Sequence, residues 1–287
     1  MGVSDLGRRL QVAAIGIPVG VGATYLGSGA VAIALAIVAA IGAAELYGLA
    51  RARGWMPFAW MGMAASALFV LGAAWPGGIV AWSVHAWILL LLLLGGSLGG
   101  AVFLRGPHGN PLLVVSTTLF GALYVGVPLS FAVHLRAFPG ISDGSAGWAG
   151  ALLVIFPMTV AWLGDTGAYF SGHKFGKRKL LPSVSPAKTV EGAIGGLAGS
   201  MIGAGVFALL LLQPAGIPLS PIPAMVLGGI IGAGAQLGDL AESLLKREAG
   251  VKDSGTIFPG HGGVLDRFDA IFIALPLTYF LLPYFLS

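Results

Sequence analysis

The sequence predicts an all-α polytopic membrane protein with about nine transmembrane helices, its N-terminus cytoplasmic and its C-terminus outside. Three observations carry that reading. First, 57% of the 287 residues are hydrophobic and only 9% charged, with a mean hydropathy of +0.93, whereas soluble domains carry roughly a quarter charged residues. Second, nine apolar stretches are long enough to span, near residues 10–27, 29–50, 56–75, 78–103, 111–135, 148–170, 190–212, 222–244 and 266–286. A helix needs ~20 residues to cross ~30 Å of hydrocarbon. Third, nine spans sort the cations. One side holds Arg8, Arg9, Arg51, Arg53, Arg105, Lys174, Lys177, Arg178, Lys179, Lys188, Lys246, Arg247, Lys252 and Arg267, and the other only Arg136. Positive loops stay in the cytoplasm, and merging or splitting one span would scatter these charges.

The elements follow in order from their boundaries. Turn signals separate the spans at Gly27-Ser28-Gly29, Pro76-Gly77-Gly78, Pro107 to Pro111, Pro139 to Gly147 and Pro214 to Pro223. The first stretch follows Arg8 and Arg9, as a signal peptide would, but the next span follows almost at once, and a transmembrane helix is the expected reading. The abundant apolar residues exclude disorder. The absence of cysteine excludes a disulfide scaffold, a thiolate nucleophile and cysteine-ligated zinc. Glycine reaches 47 residues without a Gly-X-Y period, and in a membrane it lets helices approach closely. Gly195, Gly199 and Gly203 recur every four residues in span 7, which stacks them on one helical face. Trp55, Trp60, Trp75, Trp82 and Trp148 fall near span ends, where an aromatic belt belongs. His85 and His134 have no acidic neighbours and read as packed or interfacial; Glu45 either neighbours Arg51 or reaches a site.

The acids carry the chemical signal. Eight of eleven lie from Asp165 onward, at the cytoplasmic ends of spans 6 to 9 or in the loops between them. Asp165 ends span 6, and a carboxylate that close to hydrocarbon marks function by default. The basic loop Lys174 to Lys179 leads into Ser185-Pro186-Ala187-Lys188-Thr189. Ser185 then Pro186 reads as a helix cap and first position, which puts Lys188 near the third. A lysine at a helix start, among free N–H groups, makes a phosphate site. Lys174, Lys177, Arg178 and Lys179 read instead as topology signals or contacts to anionic lipid. Asp239, Glu242 and Ser243 share one helical face, and two acids there repel unless a cation or proton sits between them. Asp266 and Asp269, again three apart, open the last span after a glycine-rich loop bearing Lys246, Arg247 and Lys252. Carboxylates attract hard, oxygen-seeking ions, so Mg²⁺ is the expected metal. The cations imply an anionic substrate. Together they point to phosphoryl or nucleotidyl transfer at one membrane face. No Gly-Lys-Ser/Thr phosphate loop is present, which argues against a P-loop NTPase. The chain thus divides into an N-terminal transmembrane scaffold, residues 1–147, and a catalytic transmembrane region, residues 148–287.

The run Ser243, Lys246-Arg247, Lys252-Asp253, His261-Gly262-Gly263, Asp266-Arg267 and Asp269 resembles the signature of the phosphatidate cytidylyltransferase (CDP-diacylglycerol synthase) family at every fixed position. The stretch Asp165-Thr166 through Ser185-Pro186, Lys188-Thr189 and Glu191-Gly192 is similar too, departing at Gly167, His173 and Ala187. The resemblance covers about residues 160–270 well, and before that only the pattern of spans is shared. It implies transfer of CMP from CTP to phosphatidate with Mg²⁺, and leaves open a second, monovalent cation. It also implies a cytoplasm-facing polar cavity, a homodimer in the bilayer of the inner (cytoplasmic) membrane, and no nucleic-acid partner. Asp239 and Asp266 match the metal-binding acids, with Asp165 and Asp269 as further members of the acidic cluster. Lys188, Lys252, His261 and Arg267 are implied catalytic residues, and Ser185, Ser243, Lys246, Arg247 and Asp165 line the substrate.

Three rival readings stand beside it. A cation- or proton-coupled transporter would use intramembrane acids, yet it favours repeats and mid-membrane sites, and these acids sit at one face. A CDP-alcohol phosphotransferase wants a D-G-x2-A-R run that is missing here. A cytidylyltransferase acting on another lipid phosphate is the nearer alternative.

Overall fold

The computed structural model describes the backbone of residues 3–142, 144–257 and 262–286, and side chains from Ala14 onward, Ile15 apart. Ten α-helices and one two-stranded sheet make up the described residues. They are α1 (Val3–Leu26), α2 (Ser28–Ala52), α3 (Ala59–Gly72), α4 (Gly78–Gly100), α5 (Pro111–Arg136), α6 (Trp148–Phe175), β1 (Lys179–Leu181), β2 (Ser185–Thr189), α7 (Val190–Phe207), α8 (Pro221–Ala249), α9 (Leu265–Phe268) and α10 (Ile271–Leu281). Helices α4 and α7 run on through π-helical turns to Arg105 and Leu212. Six helical segments are long and apolar enough to cross a membrane: Ser28–Ala52, Gly78–Arg105, Pro111–Arg136, Trp148–Phe175, Val190–Leu212 and Pro221–Ala249. They coincide with six of the nine spans read from hydropathy, and the protein is a multi-pass membrane protein. The expected span at 56–75 is the shorter α3, 14 residues long. The expected span at 266–286 is not one helix. Four-residue α9, a turn at Asp269 and Ala270, eleven-residue α10 and a 3₁₀ turn at Leu282–Tyr284 replace it.

Two compact units build the chain. The first comprises Met1–His134 and Leu245–Arg267, the second Leu135–Leu244 and Phe268–Ser287. In the first unit, polar side chains satisfy backbone groups inside an apolar core. The fully buried Tyr47 of α2 donates its hydroxyl to the Thr118 carbonyl of α5 at 2.7 Å. Glycines 62 and 121 lie flat against its ring, so a Cβ at either would enter it. Thr118 Oγ1 in turn accepts from the Phe58 N–H at 2.9 Å, and Trp82 donates to the Phe69 carbonyl at 2.8 Å. A buried polar group without such a partner would cost about 1–3 kcal/mol. His134 packs edge-on against Trp82 with ring centroids 5.2 Å apart.

In the second unit, α6 and α7 pack closely against each other. Gly195 faces Ser171 and the Gly167 carbonyl, Gly199 faces Leu163 and Gly167, and Gly203 faces Leu163. The glycine stripe therefore packs within the chain, where absent side chains let two backbones touch. Ser200, fully buried, donates to the Val160 carbonyl at 3.1 Å, and Gln236 of α8 to the Ala193 carbonyl at 3.0 Å. Arg136, the one cation on the expected outer side, is fully buried. It donates to Ser142 Oγ at 2.8 Å and to the Ser145 and Gly147 carbonyls, and so staples the loop before α6.

Candidate functional site

The site residues of the second unit come from three elements. Asp165 lies in the C-terminal half of α6, ten residues before its end, Lys188 on β2 and Asp239 on α8. The backbone at Lys188 differs from the helical start expected from Ser185-Pro186. Residues 185–189 are extended and pair antiparallel with β1, with Lys179 opposite Thr189 and Leu181 opposite Ser185. Helix α7 begins only at Val190, because Thr189 takes the cap: its hydroxyl accepts from the Gly192 N–H at 3.1 Å. Lys188 thus stands on a strand just before the helix, and its ammonium reaches Asp239 Oδ2 at 2.5 Å. Asp165 is within electrostatic range of both Asp239 and Lys188. Ser243, one turn along α8, donates to Asp239 Oδ1 at 3.4 Å. Glu242 shares the helix but is fully buried, whereas the Asp239 side chain is 32% exposed.

Glycine sets the depth of this cluster. A Cβ at Gly238 would overlap the Asp269 carbonyl, so Gly238 lets α8 pass directly against the chain at the start of α10. The Asp269 carboxylate accepts from the next residue's N–H, that of Ala270, at 2.7 Å. At the basic loop, Glu191 of α7 accepts from the Lys177 and Arg178 N–H groups at 3.0 and 3.2 Å and meets the Arg178 guanidinium at 3.5 Å. Arg178 is thereby tied to the turn beside it. Ser185 is half-buried on β2.

The first unit carries the other part of the predicted set. Asp266, whose side chain is 6% exposed, is the centre of a dense network. Its Oδ1 meets the Lys246 ammonium at 2.6 Å, and its Oδ2 accepts from the Ser254 N–H, the Ser254 hydroxyl and the Gly263 N–H, each at 2.8 Å. Burial pushes the Asp266 carboxyl up, but Lys246, Gly263 and Ser254 outweigh it and hold the group at about 2. Gly262 takes a φ of +79°, a conformation that favours glycine. Arg247 is exposed and donates to the Val251 carbonyl at 3.3 Å, closing the turn after α8. Lys252 and Arg267 are exposed. His261 lies outside the described residues.

Glu45 of α2 is the residue that sequence reading left undecided. It is buried, 8% exposed. Its carboxylate accepts from the Val264 and Leu265 N–H groups, each at 2.9 Å, and from the Ser254 hydroxyl at 3.3 Å. A lone acid inside an apolar span was the available signal, but its partners lie 219 and 220 residues away.

Two carboxylates and one ammonium leave the Asp165–Lys188–Asp239 cluster with one negative charge in excess. That donor set fits a hard divalent cation, and Mg²⁺ is commonly held by one or two carboxylates plus substrate phosphates. Among the described residues no three His, Asp or Glu side chains gather at one metal-sized point.

Comparison with known proteins gives this arrangement its context. The profile of the Cytidylyltransferase family matches residues 7–285. A phosphatidate cytidylyltransferase of Synechocystis sp. (strain ATCC 27184 / PCC 6803 / Kazusa) is 34% identical over 295 residues, covering 95% of each chain. Its namesake in Bacillus subtilis (strain 168) is 40% identical over 164 residues, 57% of this chain and 56% of that one. The one from Staphylococcus haemolyticus (strain JCSC1435) is 48% identical over 164 residues, 57% of each. With a match running almost end to end, the chain belongs to the cytidylyltransferase family.

Proposed function

We propose that this protein is a phosphatidate cytidylyltransferase, converting CTP and phosphatidate to CDP-diacylglycerol and pyrophosphate at the cytoplasmic face of the inner membrane. The observation that carries the reading is the similarity to the Synechocystis enzyme of that name over 95% of both chains. The geometry supports the chemistry. A phosphate oxygen of phosphatidate attacks the α-phosphorus of CTP, a new P–O bond forms, and the bond to the β-phosphate oxygen breaks as pyrophosphate leaves. The attacking monoester is already anionic, so no enzyme nucleophile is required. Lys188 holds its ammonium against Asp239 and can turn it toward a phosphate oxygen, where a fixed cation stabilises the charge that builds in the transition state. Lys246, Lys252, Arg247, Arg267 and His261 are proposed for the remaining phosphate groups. Asp165 and Asp239 would hold Mg²⁺, which when bound offsets charge on the phosphate oxygens. Asp266 and Asp269 are proposed to complete the acidic set. A cytoplasmic N-terminus belongs to the same proposal and rests on the segregated cations; a homodimer rests on the family resemblance.

The test is purified protein in lipid nanodiscs with phosphatidate, Mg²⁺ and each α-labelled nucleoside triphosphate in turn. A lipid-linked nucleotide formed from CTP is expected. Label transferred only to an isoprenoid phosphate would move the substrate to another lipid. Cation flux in proteoliposomes without any labelled lipid would overturn the reading. Asp239→Asn should lower turnover by ~100-fold or more, comparable with loss of a major electrostatic stabiliser, and chelation by EDTA should abolish it.

A further inference from the structure

The dense network around Asp266 does not end at Asp266. Ser254 donates both its N–H and its hydroxyl to Asp266 Oδ2 at 2.8 Å, and the same hydroxyl stands 3.3 Å from Glu45 Oε2. Glu45 also accepts the N–H groups of Val264 and Leu265 at 2.9 Å, immediately before Asp266. The loop is shaped around this one carboxylate. A Cβ at Gly255 or at Gly263 would overlap the Glu45 carboxyl group, and a Cβ at Gly262 would overlap Asp266. Four hydrogen-bonding groups and three glycines therefore converge on two acids, one of them from α2. Buried backbone N–H groups must find acceptors, and two of those preceding Asp266 find the same one.

We infer that Glu45 is a positioning residue: it fixes Ser254 and the backbone of Val264 and Leu265 so that Asp266 and Lys246 are held at one place. This rests on the transferase reading above, which gives Asp266 and Lys246 their chemistry. Glu45 touches no reacting atom on this account and acts through Ser254 and the backbone of Val264 and Leu265. Replacing it by glutamine keeps its size but puts an NH₂ group against one of the two N–H donors, which point at different oxygens. The loop then shifts, and a misplacement of about 1 Å remote from the chemistry can cost ~100-fold in rate. The loss falls on turnover, because the groups that bind substrate are still present.

The experiment compares parent, Glu45→Gln, Glu45→Asp and Ser254→Ala in nanodiscs, by amide hydrogen exchange and by steady-state kinetics with CTP and phosphatidate. In Glu45→Gln, exchange at Val264 and Leu265 should quicken at least tenfold while exchange in α5 stays at the parent rate. Its kcat should fall at least tenfold, with KM for CTP changed less than threefold. Glu45→Asp, which keeps the charge and both oxygens, should regain part of both losses. Ser254→Ala should move kcat in the same direction by a smaller factor, and it decides the matter if Glu45→Gln does not fold. Parent-like exchange at Val264 and Leu265 in Glu45→Gln, or parent kcat in Ser254→Ala, overturns the inference. So does a loss confined to KM, which would make Glu45 a binding group. If the parent itself makes no lipid-linked nucleotide, the transferase reading fails, while the exchange measurement still decides whether Glu45 holds the loop.

Discussion

Lys188 and Asp266 show how differently two charged residues of one sequence region are used. Lys188 sits against Asp239 with its side chain 28% exposed, in reach of an incoming anion. Arg178, by contrast, is tied to Glu191 and 75% exposed, where an ion pair contributes little. Lys188→Ala should therefore abolish transfer with topology unchanged, and the double change Lys177→Ala with Arg178→Ala should cost less than tenfold. Equal losses in labelled-lipid assays would show that Lys188 is only one more topology charge. Asp266 is satisfied on both oxygens, and its carboxyl is held at about 2 against an ordinary 3.8. A depressed folded-state value means stability that is fully present above the unfolded value near 3.8 and lost as pH falls through about 2. The shift corresponds to about 2 kcal/mol. The stability gap between parent and Asp266→Asn, from thermal unfolding in detergent, should be constant above pH 4 and narrow below it. A gap that widens on acidification would contradict the network.

At the scale of elements, the glycine stripe of α7 was legible as a packing face, and the structure supplies its partner. Gly199 meets the Leu163 carbonyl and Gly167 of α6, so a large side chain there must push two helices apart. Gly199→Leu should lower the unfolding temperature in detergent by several degrees, and Leu at the neighbouring exposed Ala198 by far less. Because the stripe is covered within one chain, the oligomeric state in size-exclusion chromatography should be the same for both variants. A dimer lost with an intact monomer would place this face between subunits. The hairpin of β1 and β2 was the element misread. Ser185-Pro186 carries the marks of a helix start, but proline also suits an extended edge, and local signals do not choose between them. The choice falls to the cross-strand pairing and to Thr189, whose hydroxyl caps α7 four residues later than expected.

For the whole molecule, the sidedness of the cations is the property to test, and a chain without cysteine makes the test clean. A single cysteine replacing exposed Lys177 should react with an impermeant maleimide only after permeabilisation, and one replacing exposed Ala146 should react in intact cells. The reverse pattern would invert the proposed orientation. Hydropathy and charge determined the membrane class, six long spans and the candidate site residues, because burial in lipid demands long apolar runs and expels charge to their ends. The break between α9 and α10 was invisible to hydropathy, which reads the apolar run of α10 but not the turn that separates it from the four residues of α9. Pairing was equally invisible. That Lys188 meets Asp239, or that Glu45 accepts from Val264 and Leu265, depends on where separate helices and loops come together. Sequence periodicity reports which face of an element is apolar; it does not report which distant hydrogen-bond donor that face will meet, and only tertiary packing decided that.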